Sequence, residues 1–331
     1  MTARVALAVN PVSGRGRGVR AGRAVAAQLA ADGVDVVPVP AVDAAGALAG
    51  LRAARADGVD ALVVVGGDGM VHLGVNAVAG TGCPLGIVAA GTGNDIAREL
   101  GLRTGDPAGA ARDLVRALEA GSVRAVDAAR CLDVGAPPPV ARGPHRPHGP
   151  HRPDAGPGVD GPHGDRWFAG VLAAGFDALV NERADGWRWP RGDVRYDLAI
   201  LRELPVLRPR DYVLTLDGVE RHLPAVMVVV ANGPAYGGGM RICPDARMDD
   251  GLLDVLVVAP LSRTALIRIY PRVYRGTHVS DPRVSVERVR QVRVAAEGIV
   301  ATADGERLAR LPITAQAVPG ALRVLVPPPA S

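Results

Sequence analysis

A chain of 331 residues is long for one core and fits two lobes; with 48% hydrophobic, 22% charged and 3% aromatic residues, its cores must be built from Val, Leu, Ile and Ala. The net charge of +4 is small, carried by Arg with no Lys and spread without a dense basic run, which argues against nucleic acid as a partner. Cys83, Cys131 and Cys243 lie far apart, no signal peptide is visible and no apolar run approaches bilayer length, so a reducing cytoplasm is the expected compartment.

Arg4 to Val9 reads as an apolar strand, Val19 to Ala31 has helical spacing and stops at Gly33, and Val34 to Val39 is a second strand. Asp43 can cap a helix running to Gly58, and Asp60 to Val65 is a strand buried on both faces. Met70 to Ala79 reads as a helix, Leu85 to Ala89 as a strand, and Asp95 to Leu100 and Pro107 to Ala120 as helices. Strands alternating with helices in this way predict an α/β domain with a doubly wound parallel sheet over residues 1–128.

After Val123 to Val134 the pattern changes. Residues 135–165 are crowded with Pro, Gly, Arg and His and read as a flexible low-complexity insertion. Its four histidines, His145, His148, His151 and His163, follow Gly-Pro-His and Arg-Pro repeats rather than the spacing of a metal site. Beyond it, strand-like segments dominate: Trp167 to Leu172, Asp211 to Leu216, Ala225 to Val230, Leu252 to Val258, Val284 to Val286, Val289 to Val294 and Ile299 to Ala301. Helices are expected at Val194 to Leu204 and Arg263 to Tyr274, and Asp217-Gly218 and Asp304-Gly305 are hairpin turns. A mainly antiparallel β domain is therefore expected over 129–311, with the segment 312–331 free to rejoin the first domain.

Three loops of the first domain leave strands and enter helices at the carboxyl edge of the sheet: Asn10-Pro-Val-Ser-Gly14, Gly66-Gly67-Asp68-Gly69 and Gly91-Thr-Gly-Asn-Asp95. One such loop is an ordinary βα turn. Three on one edge converge backbone N–H groups and helix N-termini on a common point, as a nucleotide phosphate requires. Gly16-x-Gly18-x-x-Ala21 matches a dinucleotide fingerprint on paper, but the strand ends near Val9, too early for it. A Walker lysine is ruled out by the absence of Lys, so phosphate charge falls to backbone dipoles, Arg and a metal ion. Asp68 in the middle of a phosphate loop would repel the nucleotide unless Mg²⁺ bridges them.

These motifs resemble the diacylglycerol kinase catalytic fold, specifically the soluble bacterial lipid kinases related to sphingosine kinases. The resemblance extends into the second domain through Asn232, Gly237 to Gly239, Pro244 to Asp254 and Asp304-Gly305-Glu306. It implies an NAD kinase/diacylglycerol kinase-like first domain with ATP on Asn10, Ser13, Gly14, Gly66, Gly67, Asp68, Gly69, Met70, Thr92 and Asn94, and lipid entering between the domains. It implies Glu306 as the general base toward a lipid hydroxyl and Asp68 as a second catalytic carboxylate. Asp95 and Asp127 are candidate members of an acid network around Mg²⁺, and Asp250, with the backbone carbonyls of Arg247 and Leu252, would hold a second, structural Mg²⁺. The chain departs from the family pattern at Met70, where Thr is usual, and at His72.

The activity so implied is transfer from ATP to diacylglycerol, giving phosphatidic acid, by a cytoplasmic protein bound peripherally at the inner membrane face. The helix face around Tyr196, Leu198, Leu201 and Leu204, with Trp187 and Trp189, is expected either to touch lipid or to cover the second core. Another lipid alcohol, a soluble acceptor such as NAD, and a non-catalytic nucleotide sensor stay open as alternatives, as does a homodimer.

Overall fold

The computed structural model describes residues 2–10, 17–41, 43–132, 166–175 and 208–328. Ser13, Gly14, the insertion 135–165, the expected helix at 194–204, Trp187 and Trp189 lie outside these.

The first lobe is built as its periodicity predicts. β1 (Arg4–Val9), β2 (Asp35–Val39), β3 (Ala61–Gly66) and β4 (Pro84–Ala89) form parallel pairs in the order β2-β1-β3-β4. Side chains alternate between two cores. Val5, Leu7, Val63 and Val65 face α1 (Arg17–Ala31) and α5 (Pro107–Ala120). Ala6, Ala8, Leu62 and Val64 face α2 (Ala44–Ala56), α3 (Asp68–Val78) and α4 (Asp95–Glu99). Every residue of β3 is buried, which is why it carries no polar side chain. Asp43 caps α2 by accepting from Gly46 N–H at 2.7 Å, an interaction of about 1 kcal/mol.

The second lobe is antiparallel. β5 (Val123–Leu132) pairs with β6 (Arg166–Phe168) and with β16 (Ile313–Leu325), while β16 also pairs with β13 (Gln291–Ala295), which adjoins the hairpin β8 (Arg210–Leu216) and β9 (Val219–Ala225). The far end of β16 pairs in parallel with β4, so the chain returns to the first lobe and ten strands form one sheet. Facing it is a six-stranded sheet, β12-β11-β10-β7-β14-β15, made of β7 (Val171–Gly175), β10 (Met227–Ala231), β11 (Leu253–Val258), β12 (Val284–Val289), β14 (Val300–Ala303) and β15 (Glu306–Arg310). Phe168, Leu172, Tyr212, Leu214, Val230 and Val292 fill the space between the sheets. α6 (Arg263–Val273) packs Val273 beside Met240 and Ile242 in a further core that includes Val229 and Leu256.

Several segments differ from the sequence expectation, β16 among them, which lies well beyond the last expected strand. The run Trp167 to Leu172 is two strands, broken at Ala169 and Gly170. β9 has almost no buried side chain before Ala225 and so shows no alternation. Ala225 closes β9, and β10 begins only at Met227.

Candidate active site

At the carboxyl edge of the parallel strands, two of the three expected loops are described in full and pack against each other. Residues 67 and 91 must be glycine for this: a Cβ on Gly67 would stand 3.1 Å from Gly91 Cα, and one on Gly91 would overlap Gly67 Cα. Ala90 N–H donates to Gly66 O at 2.7 Å and Asn10 N–H to Val65 O at 3.0 Å, which bring the ends of β1, β3 and β4 level. The N–H groups of Asp68 and Gly69 stand at the N-terminus of α3, ahead of the first intrahelical bonds, where a helix accepts an anion.

The expected site residues that fall among the described ones take definite places in this arrangement. Asp68 turns its carboxylate onto the neighbouring loop, Oδ2 accepting from Asn94 N–H and Oδ1 from Asp95 N–H, both at 2.8 Å. Asn94 is in the left-handed region at φ 55° and closes its own loop, with Gly91 N–H donating to Oδ1 and Nδ2 donating to Gly91 O, both at 3.0 Å. Its side chain thus shapes the loop, while Thr92 is exposed at the tip. Met70 is 4% exposed, lies against Gly66 and joins the core, and its N–H already donates to Gly67 O at 2.9 Å. The side chain at position 70 therefore braces the loop from below and presents no polar group to a ligand.

Glu306 arrives from the second lobe. Asp304 and Gly305, at φ 51° and 85°, make the tight turn between β14 and β15, and Glu306 is the first residue after it. Its Oε1 would lie 2.7 Å from a Cβ placed on Gly69. A carboxylate of the second lobe thus sits directly on the Gly66–Gly69 loop. Asp304, its side chain 1% exposed, explains the break between β6 and β7: it accepts from Gly170 N–H at 2.9 Å, Val171 N–H at 3.1 Å and Ala169 N–H at 3.2 Å. Those donors cannot also serve a strand ladder.

Asp95 couples the lobes a second time. Its Oδ1 takes Arg98, and Oδ2 accepts from Gly238 N–H at 2.8 Å, which fixes the Gly237–Gly239 loop of the second lobe beside α4. Asp127 has both oxygens engaged, by Gly251 N–H at 2.7 Å and Gly320 N–H at 2.8 Å, and clamps the turn before β11 to β16. At the other predicted metal position, Asp250 Oδ1 accepts from Leu252 N–H at 3.0 Å, and Arg247 is drawn to Asp249 at 3.2 Å. Among the described residues no three His, Cys, Asp or Glu side chains converge as a metal cage.

The site is strongly anionic. Burial pushes the Asp68 carboxyl above its usual range, Asp95 and Asp304 push it further, and the Asn94 and Asp95 N–H groups only partly offset this. Arg98 offsets Asp95, whereas Asp68 accepts from neutral backbone N–H groups, so a cation at the loops fits beside Asp68. Mg²⁺ in particular needs one or two carboxylates, the rest of its shell coming from phosphate and water.

Sequence reading missed one feature here. His72 Nδ1 lies 3.1 Å from Asp304 Oδ2, and Asn76 fastens Trp167 through both backbone groups, accepting from its N–H and donating to its carbonyl at 2.9 Å each. The signal was present in the chain: Asp68, His72 and Asn76 recur every four residues on an otherwise apolar helix and so share one face.

Comparison with known proteins agrees with both lobes. The family model described as diacylglycerol kinase catalytic domain matches residues 4–131, and that described as YegS C-terminal NAD kinase beta sandwich-like domain matches residues 170–326. A protein named diacylglycerol kinase from Mycobacterium tuberculosis is 41% identical over 325 residues, 98% of this chain and 95% of its own length. One of the same name from Bacillus subtilis is 24% identical, over 76% of this chain and 73% of its own. A probable lipid kinase YegS-like from Xanthomonas campestris pv. campestris is 27% identical, over 83% and 81%. The crystal structure of a putative diacylglycerol kinase from Bacillus anthracis superposes with a TM-score of 0.71 over 98% of this chain and 95% of that one; at 21% identity it speaks for the fold.

Proposed function

Because this chain belongs to the diacylglycerol kinase family, phosphotransferases with an alcohol as acceptor, we propose that it transfers the terminal phosphoryl group of ATP to the free hydroxyl of diacylglycerol. The observation that carries this reading is the placement of Glu306, brought by the second lobe onto Gly69 of the loop that opens α3. Donor and acceptor machinery meet there.

In this reading the Gly66 to Gly69 backbone, Asn10 and Thr92 cradle the nucleotide phosphates, joined by Ser13 and Gly14 from outside the described residues. Asp68 and Asn94 hold the two loops in register. Glu306 accepts the hydroxyl proton as the lipid oxygen bonds to the γ-phosphorus and the bond to the leaving ADP oxygen breaks. Bound Mg²⁺ would neutralise phosphate charge, with Asp68 and Asp95 as the carboxylates beside it. A second ion at Asp250 would rest on that one carboxylate with the carbonyls of Arg247 and Leu252. In this reading the lipid is met peripherally, at the cytoplasmic face; among the described residues no helix is long and apolar enough to cross a membrane.

Incubation with labelled ATP and a panel of diacylglycerol, sphingosine, ceramide and NAD tests this. Label should appear in phosphatidic acid. Label confined to a water-soluble product would overturn the lipid assignment.

A further inference from the structure

We propose that His72 is a positioning residue for phosphoryl transfer, clasping α3 of the nucleotide lobe to the Asp304–Glu306 turn of the acceptor lobe so that the Glu306 carboxylate stays over Gly69. The inference deepens the kinase reading above and rests on it.

The clasp is built from both sides. On the acceptor side, Asp304 collects backbone N–H donors from Ala169, Gly170 and Val171, so its carboxylate is an acceptor fixed in orientation. The imidazole must therefore present N–H from Nδ1, 3.1 Å from Asp304 Oδ2. On the nucleotide side, the ring is held one helical turn beyond Asp68, with Nε2 3.2 Å from Asn76 Nδ2. The Asn76 amide is itself oriented by Trp167 N–H and by the carbonyls of His72 and Trp167. The His72 side chain is only 12% exposed, so little water competes for the bond.

Glu306 is the first strand residue beyond the turn at Asp304, so whatever fixes Asp304 fixes where the carboxylate of residue 306 begins. Asp304 is anchored to β6 and β7 of its own lobe by backbone, and His72 is the side chain of the other lobe that reaches it. The charged groups acting on the imidazole are Asp304 and Glu306 from the turn and Arg166 from β6. A misplacement of about 1 Å at a reacting group is enough to lower a rate by about 100-fold.

The test uses three variants of the full chain, since the amide of Asn places a donor where Nδ1 stands whereas that of Gln places it nearer Nε2. His72→Ala and His72→Gln should lower kcat about 10- to 100-fold while the KM for ATP stays within about 2-fold, and His72→Asn should restore most of kcat. Should Ala fail to fold, the contrast between Gln and Asn carries the test. Equal kcat for Gln and Asn, or a loss of ATP affinity matching the loss of kcat, would overturn the clasp. Glu306→Gln serves as control: if it retains full transfer, the general-base reading fails, whereas an inactive Glu306→Gln beside a fully active His72→Gln sinks the clasp alone.

Discussion

Glu306 and Gly69 touch across the boundary between the lobes: a Cβ at residue 69 would stand 2.7 Å from Glu306 Oε1. The obstacle is the far end of an exposed, flexible side chain, so Gly69→Ala should fold and displace the carboxylate. We expect kcat to fall about 100-fold with little change in the melting temperature, measured by steady-state kinetics and a thermal melt.

Replacing Glu306 by Gln keeps the shape and removes the proton acceptor. Transfer should drop by about 100- to 10,000-fold while ATP still binds, as calorimetry would report. A nucleotide sensor without catalysis would show no such split.

Gly91 faces backbone where Gly69 faces a side chain. A Cβ at 91 would overlap Gly67 Cα, which cannot swing aside. Gly91→Ala should therefore destabilise the first lobe by about 1–3 kcal/mol in denaturant unfolding and weaken ATP binding together.

Asp95 joins Arg98 of its own helix to Gly238 of the second lobe, and its side chain is 6% exposed. Asp95→Ala leaves the Gly238 N–H without its carboxylate and should cost about 1.5–3 kcal/mol in urea unfolding.

The His72–Asp304 pair makes stability depend on pH. Burial pushes the imidazole pKa down, but the hydrogen bond and charge of Asp304, with Glu306, outweigh it, so the folded value lies above the ordinary 6.5. A raised histidine stabilises fully below the unfolded value, and the gain is lost as pH rises through the folded one. The stability of the native chain relative to His72→Asn should thus be greatest below pH 6.5 and shrink as pH rises past it, read by denaturant unfolding across pH.

The chain by itself determined whatever depends on neighbours in sequence. The unbroken apolar run before Gly66 dictates a strand buried on both faces, and Asp217-Gly218 and Asp304-Gly305 dictate tight turns because these residues tolerate positive φ. The Gly-rich loops at the ends of β3 and β4 follow from the same short-range reasoning. What only the tertiary structure decided is which groups meet. His72 and Asp304 are 232 positions apart, and their contact depends on β6 packing against α3 while β7 pairs with β14. The break at Ala169 and Gly170 was invisible for that reason: local apolar pattern favours one continuous strand, and a distant carboxylate takes the N–H groups that strand would have used. β9 was marked in the sequence only by the turn before it, because an edge strand with exposed side chains has no buried face to impose alternation. Met70, where the sequence departs from the family pattern, is in three dimensions the floor of the Gly66–Gly69 loop, since a side chain directly below Gly66 is measured by packing rather than by polarity.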